Sequence, residues 1–179
     1  YHHDKGQILL DDAPLSSLSV PARARQIGYL PQDAPLHWNI AVRALVALGR
    51  HPYGDGRADA GRAAIDRALE ETQLMSFADR LADTLSGGER ARAMLARVLA
   101  GDPRWIPADE PLAALDIAHR YALMTQLCAI AARGVGVVIV MHDLALAARF
   151  SGEALLLDKG ALVAARPAGG GLAPRRLPP

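Results

Sequence analysis

The chain has 179 residues, 51% of them apolar, and a formal net charge of +1, which suits one ordinary domain with a sizeable core. Charges of both signs are interspersed, so there is no basic stripe for nucleic acid, and aromatics at 4% are too few for base-stacking platforms. One cysteine, Cys128, sits in an apolar helical pattern; it excludes an internal disulfide or a cysteine-based zinc site, reads as a buried inert thiol, and fits a reducing cytosol.

Residues 7–10 read as a short strand closed by Asp11 and Asp12, and residues 27–30 as a second strand ended by Pro31. A helical pattern over 40–48 is stopped by Gly49 and by His51-Pro52. Residues 54–61 are polar and Gly-rich and read as a loop, and helical periodicity resumes over 63–74. After the break at Thr84-Leu85-Ser86-Gly87-Gly88, a helix is expected over 89–100, ended by Gly101-Asp102-Pro103. An apolar run over 105–108 leads into Asp109-Glu110-Pro111, and a long helix covers about 113–133. Residues 135–141 are the longest apolar run, and they are far short of the roughly 20 residues that span a bilayer. They read as a strand apolar on both faces, as in a parallel sheet covered by helices. A helix over 143–150 and a hairpin around Asp158-Lys159-Gly160 follow; from Pro167 the chain is Gly/Pro-rich and reads as a disordered tail. The second half thus alternates helix and strand, which implies an α/β layer fold. Residues from about 40 to 82 carry helices without strands and read as a helical insertion.

Four features carry chemistry. In Leu85-Ser86-Gly87-Gly88-Glu89-Arg90, Ser86 is placed to cap the following helix with Glu89 as its capping-box partner. Gly87 and Gly88 let backbone N–H groups approach an anion at a positive helix end. A capped turn without a ligand is the plainer alternative. Asp109 and Glu110 close a buried strand, where α/β sheets bind ligands. The first suits Mg²⁺ and the second can orient or deprotonate a water; a solvated acidic turn is the alternative. His142 ends the next strand, within reach of a phosphate or in a structural role. Gln32, after the 27–30 strand, is placed for Mg²⁺ or an attacking water, or is a plain loop residue.

Taken in order, these features resemble the ATP-binding subunit of ABC transporters, over about residues 6–163. Leu85 to Arg90 resembles the family signature, Asp109-Glu110 its Walker B pair, Gln32 its Q-loop glutamine, His142 its switch histidine, and Ala114-Leu115-Asp116 its D-loop. The resemblance implies a P-loop NTPase-like α/β core over 1–166, with a helical subdomain at about 40–100 and the tail at 167–179. It implies ATP and Mg²⁺ as cofactors and a head-to-tail homodimer. Ser86, Gly87, Gly88 and Glu89 would face the partner's ATP across the dimer. Asp109 with Gln32 would hold Mg²⁺, Glu110 would act as base, and His142 and Gln32 would sense the γ-phosphate. Asp116 would supply the D-loop carboxylate. The partners implied are transmembrane permease subunits and, indirectly, a periplasmic or surface substrate-binding protein, with no nucleic acid. The place implied is the cytoplasmic face of the membrane. The run from Val42 to Tyr53, with His142-Asp143-Leu144 and Ala147-Ala148-Arg149, resembles the subfamily that imports ferric siderophores, haem or cobalamin; in that family this region docks onto the permease.

The sequence departs from the pattern in three places. The loop Gly-x-x-x-x-Gly-Lys-[Ser/Thr] is not found, and neither Lys5 nor Lys159 follows a glycine. With Tyr1 in place of Met, a chain lacking its N-terminal strand and phosphate loop is expected, and the 179 residues alone are expected to bind ATP poorly. Pro107 removes a ladder donor from the Walker B strand, and Leu112 replaces a small hydroxyl residue. Two other readings compete: a truncated, catalytically incompetent cassette, and a soluble ABC ATPase outside transport.

Overall fold

The computed structural model describes residues 6–32 and 39–167. Tyr1, Lys5, residues 33–38 and the tail beyond 167, expected from its composition to be disordered, lie outside the described residues. Near the start, Asp11 and Asp12 adopt left-handed backbone (φ 49° and 61°) and turn the chain between β1 (Leu9–Leu10) and β2 (Ala13–Pro14), an antiparallel pair. Aspartate tolerates this conformation better than most residues. The strand expected from residue 7 is thus only Leu9–Leu10. Helix α1 (Val20–Gln26) begins at Ser19, whose hydroxyl accepts from the Ala22 N–H, with Pro21 in its first turn.

Helix α2 (Val42–Ala47) does not stop at Gly49 as expected; it tightens into a 3-10 segment, Leu48–Tyr53. Pro52 lies within this 3-10 stretch, where a continuing α-helix would lose a rung, and Gly54 (φ 69°) ends it. Gly49 is required there: a Cβ would collide with the Arg97 carbonyl of a neighbouring helix. Helix α3 (Asp59–Glu71) starts earlier than the Gly-rich composition suggests. Gly61 lies inside it because a Cβ there would strike the Asp55 backbone. Helix α4 (Gly87–Leu99) packs on α2 and α3.

The parallel sheet is built from β3 (Trp105–Asp109) and β4 (Gly136–Val140), in register Trp105↔Gly136 to Asp109↔Val140. Residues 27–30 lie along the other side of β3 but form only two isolated parallel bridges, Ile27↔Trp105 and Leu30↔Ala108, instead of the expected strand. Pro107 is the reason. The Gly28 N–H donates to the Trp105 carbonyl and the Leu30 N–H to the Pro107 carbonyl. The next rung of that ladder would run from residue 107 to the Gly28 carbonyl, and proline has no N–H to make it. The ladder resumes at once, with the Asp109 N–H donating to Leu30 at 2.9 Å. The proline therefore interrupts the strand without displacing Asp109.

Helix α5 (Ile117–Ala132) connects β3 to β4, and α6 (Leu144–Phe150) follows β4. The expected helical start near 113 is a turn, stapled by Ala113 N–H to Glu110 and Leu115 N–H to Leu112. The last elements, β5 (Glu153–Asp158) and β6 (Ala161–Pro167), form the expected hairpin, turning at Lys159 (φ 47°) and Gly160 (φ 79°).

One apolar core runs from the helices to the sheet. Val42, Val46, Leu69 and Leu95 are fully buried on the helical side, and Ile106, Met124, Leu127 and Ile130 on the sheet side. Leu112 joins this core at 6% exposure, so its departure from the family pattern has a packing reason. Strand β4 is not apolar-covered on both faces: Val137 and Ile139 pack on the core, while Val138 and Val140 are more than half exposed among the described residues. Cys128 is half-buried, its thiol directed to the Phe150 carbonyl, and burial pushes its pKa up, which keeps it a thiol.

The region from Val42 to Tyr53, expected to face a permease, turns part of its polar chemistry inward. Arg50 is buried, with Nε 2.9 Å and Nη2 2.5 Å from the Asp55 carboxylate. Its Nη1 donates to the Ala100 carbonyl at 3.1 Å and to Asp102 at 3.3 Å. The guanidinium stacks 3.8 Å from the Tyr53 ring, and the Tyr53 hydroxyl donates to Gly101. This is a clamp between the 3-10 segment and the end of α4.

Candidate functional site

Three chain segments end side by side on the sheet. The Asp109 N–H bonds Leu30, and the Glu110 N–H bonds the Val140 carbonyl at 2.9 Å. The residues just beyond these rungs, Gln32, Glu110 and His142, are therefore delivered to one place. Gln32 Nε2 donates to Glu110 Oε2 at 3.2 Å. His142 Nε2 lies 2.7 Å from Glu110 Oε1. Both carboxylate oxygens of Glu110 are thus held, one from each flanking segment. Asp143 supports this by capping α6, accepting the Ala145 and Leu146 N–H groups at 3.0 Å, which fixes the residue next to His142.

Glu110 itself has φ 42°, a left-handed backbone in which a side chain other than glycine is strained. Such strain persists where the surroundings impose it, here the rung to Val140. Asp109 points beside it and accepts a 3.3 Å hydrogen bond from the Tyr29 hydroxyl. The arrangement offers one carboxylate, Asp109, with its second oxygen open to a cation, and another, Glu110, held through both oxygens against a position where water can be oriented.

A second cluster surrounds the start of α4. Ser86 accepts the Glu89 N–H at 3.3 Å, and the Ser86 N–H donates to Glu89 Oε2 at 2.8 Å, the capping box expected from the sequence. The Ser86 N–H holds the Glu89 carboxyl below its ordinary range. Gly88 is buried, and Gly87 faces the Ala114 carbonyl. A crevice separates the helix start from the strand-end turn, lined by Gln32, Gly87, Arg90, Pro111, Ala114 and Leu115 among others.

Asp116 caps α5, accepting the His119 N–H at 2.9 Å, and that bond holds its carboxyl low. All nine sequence-predicted residues therefore fall in two groups. Gln32, Asp109, Glu110 and His142 form the first; Ser86, Gly87, Gly88, Glu89 and Asp116 form the second. Tyr29 and His119 were missed by the sequence reading. An aromatic one residue before a strand end and a histidine in a helix's first turn have no pattern that singles them out.

Comparison with known proteins agrees with this geometry. The profile of the ABC transporter family matches residues 1–113. The hemin import ATP-binding protein HmuV of Streptomyces coelicolor is 43% identical over 165 residues, covering 91% of this chain and 59% of that protein. The HmuV of Rhodococcus jostii is 38% identical, covering 90% and 56%. The cobalamin import ATP-binding protein BtuD of Halobacterium salinarum is 37% identical, covering 87% and 39%. The chain thus spans well under two thirds of the length of these relatives. Among solved structures, the ATP-binding cassette MJ0796, in a dimeric post-hydrolysis state bound to ADP and Pi, superposes with a TM-score of 0.77 at 27% identity, covering 94% of this chain and 75% of that one. The Clostridium perfringens cbiO1, part of the ABC transporter complex cbiONQ, gives 0.78 at 24% identity over 90% and 66%, a likeness of fold. With the paired carboxylates at the strand end, the capped Ser-Gly-Gly helix and a profile match over more than half its length, the chain belongs to the ABC transporter family.

Proposed function

We propose that the protein of which this chain is part is an ATP-hydrolysing subunit that powers import of a metal chelate, with haem favoured over cobalamin or a ferric siderophore. The observation that carries the hydrolysis reading is Glu110, held through both oxygens by Gln32 and His142. A carboxylate so fixed is suited to orient water and take its proton. The haem preference rests on the HmuV relatives at 43% and 38% identity.

Mg²⁺ fits the residues present. Among the described residues no three His, Cys, Asp or Glu side chains converge into a metal cage. The donors are the Asp109 carboxylate and the Gln32 amide oxygen, a set suited to an ion that takes few protein ligands and completes its shell with water and phosphate oxygens. When bound there, Mg²⁺ supplies neutralisation of phosphate charge. Gly87 and Gly88 would present N–H groups, and Ser86 its hydroxyl, to the γ-phosphate of ATP held by a second copy, and Asp116 would border the same interface. Permease subunits, and through them a substrate-binding protein, complete the assembly at the cytoplasmic membrane face. In keeping with a peripheral subunit, no described helix is long and apolar enough to cross a membrane.

The test is ATP hydrolysis and hemin uptake by proteoliposomes holding the intact subunit with its permease. Glu110→Gln is expected to lower turnover by about 10²–10⁴-fold, the range for loss of a positioned base. Hydrolysis at the unmutated rate would refute the role of Glu110, and ATP-driven uptake of cobalamin without hemin would reassign the cargo.

A further inference from the structure

We infer that His119 is a positioning residue that keys the Ser-Gly-Gly helix start to Asp116, so that the two segments form one preset surface. This rests on the reading above, in which both segments face ATP on a second copy.

The imidazole is fixed on one side. Its Nδ1 lies 2.8 Å from Asp116 Oδ2 and 2.9 Å from Oδ1, while the His119 N–H donates to the same carboxylate at 2.9 Å. On its other side the ring lies flush against Gly88. A Cβ on Gly88 would collide with Cδ2 and Nε2 of His119, and the ring cannot swing away without leaving Asp116. The turn that carries Asp116 is itself braced, because Arg120 Nε donates to the Leu115 carbonyl at 2.8 Å. Thus Gly88 is glycine for a reason internal to the subunit, and α4 and α5 meet through one oriented ring. Removing the ring opens a gap between the two segments and frees Asp116 from its side-chain partner. A surface that must be organised before it engages a ligand then pays for that ordering on each encounter.

The experiment uses the intact subunit with its permease and measures ATPase rate against ATP concentration. For His119→Ala the half-saturating ATP concentration is expected to rise about tenfold with kcat within about threefold, the scale of coupling between contacting residues. His119→Asn, which keeps a donor near the Nδ1 position, should recover most of the loss, whereas His119→Gln should not. Adding Asp116→Ala to His119→Ala should cost little more than the worse single change. An unchanged half-saturation in His119→Ala, or equal behaviour of the Asn and Gln variants, overturns the inference. If His119→Ala folds poorly, the Asn–Gln pair still decides. Failure of Glu110→Gln to silence hydrolysis in the same preparation would instead bring down the ATPase reading.

Discussion

His142 Nε2 stands 2.7 Å from Glu110 Oε1, across the ends of two paired strands, and the histidine side chain is 85% exposed. A contact that is short yet open to water adds little to stability. Its value is in aiming the carboxylate. His142→Ala should therefore lower turnover by about 10–100-fold, less than Glu110→Gln, because it misplaces a base without removing it. Neither variant should shift the melting temperature by more than about 3 °C. Steady-state hydrolysis with calorimetry on the same samples checks both; a wild-type rate in His142→Ala would remove the histidine from the mechanism.

The capping box gives a pH signature. Glu89 is held below its ordinary pKa of 4.5, chiefly by the Ser86 N–H. The unfolded carboxyl titrates at the ordinary value, so the charged form favours folding at neutral pH. That contribution is lost as pH falls below about 4.5 and through the lowered folded value. The melting-temperature gap between the protein and Glu89→Gln should therefore be widest near neutrality and close in acid. A gap that widens in acid contradicts the assignment. Ser86→Ala should cost about 1 kcal/mol for the lost cap.

Pro107 leaves one rung unmade, that to the Gly28 carbonyl. Pro107→Ala restores a donor worth about 0.5–1.5 kcal/mol net. It also frees the unfolded chain, at a loss of about 0.4–1 kcal/mol. These nearly cancel, so the melting temperature should move by no more than about 4 °C, with hydrolysis unchanged. A large gain in activity would mean that the proline does displace Asp109.

Arg50 is the buried cation among the described residues, bound to Asp55, Asp102 and the Ala100 carbonyl. Its hydrogen bonds to Asp55 are the main reason its pKa is raised. Arg50→Ala leaves the Ala100 carbonyl and the Asp55 carboxylate without their partner, while Asp102 keeps Arg67, and should destabilise by about 1–3 kcal/mol. Arg50→Lys cannot reproduce the fork or the stacking on Tyr53 and should recover only part. Chemical denaturation measures both; equal stability of all three proteins would dissolve the clamp.

Local rules made much of this legible. The capping box at Ser86 and Glu89, the hairpin turning at Lys159-Gly160, and the apolar strand at Gly136–Val140 are written within a few residues of each other, and each formed. The site residues were readable because strand ends and helix starts are where such groups collect. What escaped was set by distant neighbours. The 3-10 continuation to Tyr53 depends on Arg50 reaching across to Ala100. The early start of α3 depends on Gly61 lying against Asp55. The broken edge at residues 27–30 depends on a proline in the neighbouring strand. The contact of His119 with Gly88 joins two helix starts that are remote in sequence.

The left-handed backbone of Glu110, φ 42°, sets the chemistry of this position against its conformation. Glycine adopts that backbone freely, so chain sterics alone would choose a residue with no side chain at all. Glu110→Gly should then be a silent lesion for folding, melting close to the parent and passing every quality check on the folded state while losing at least as much turnover as Glu110→Gln. Screens that rank variants by thermal stability would keep it, and only an assay of turnover would find it.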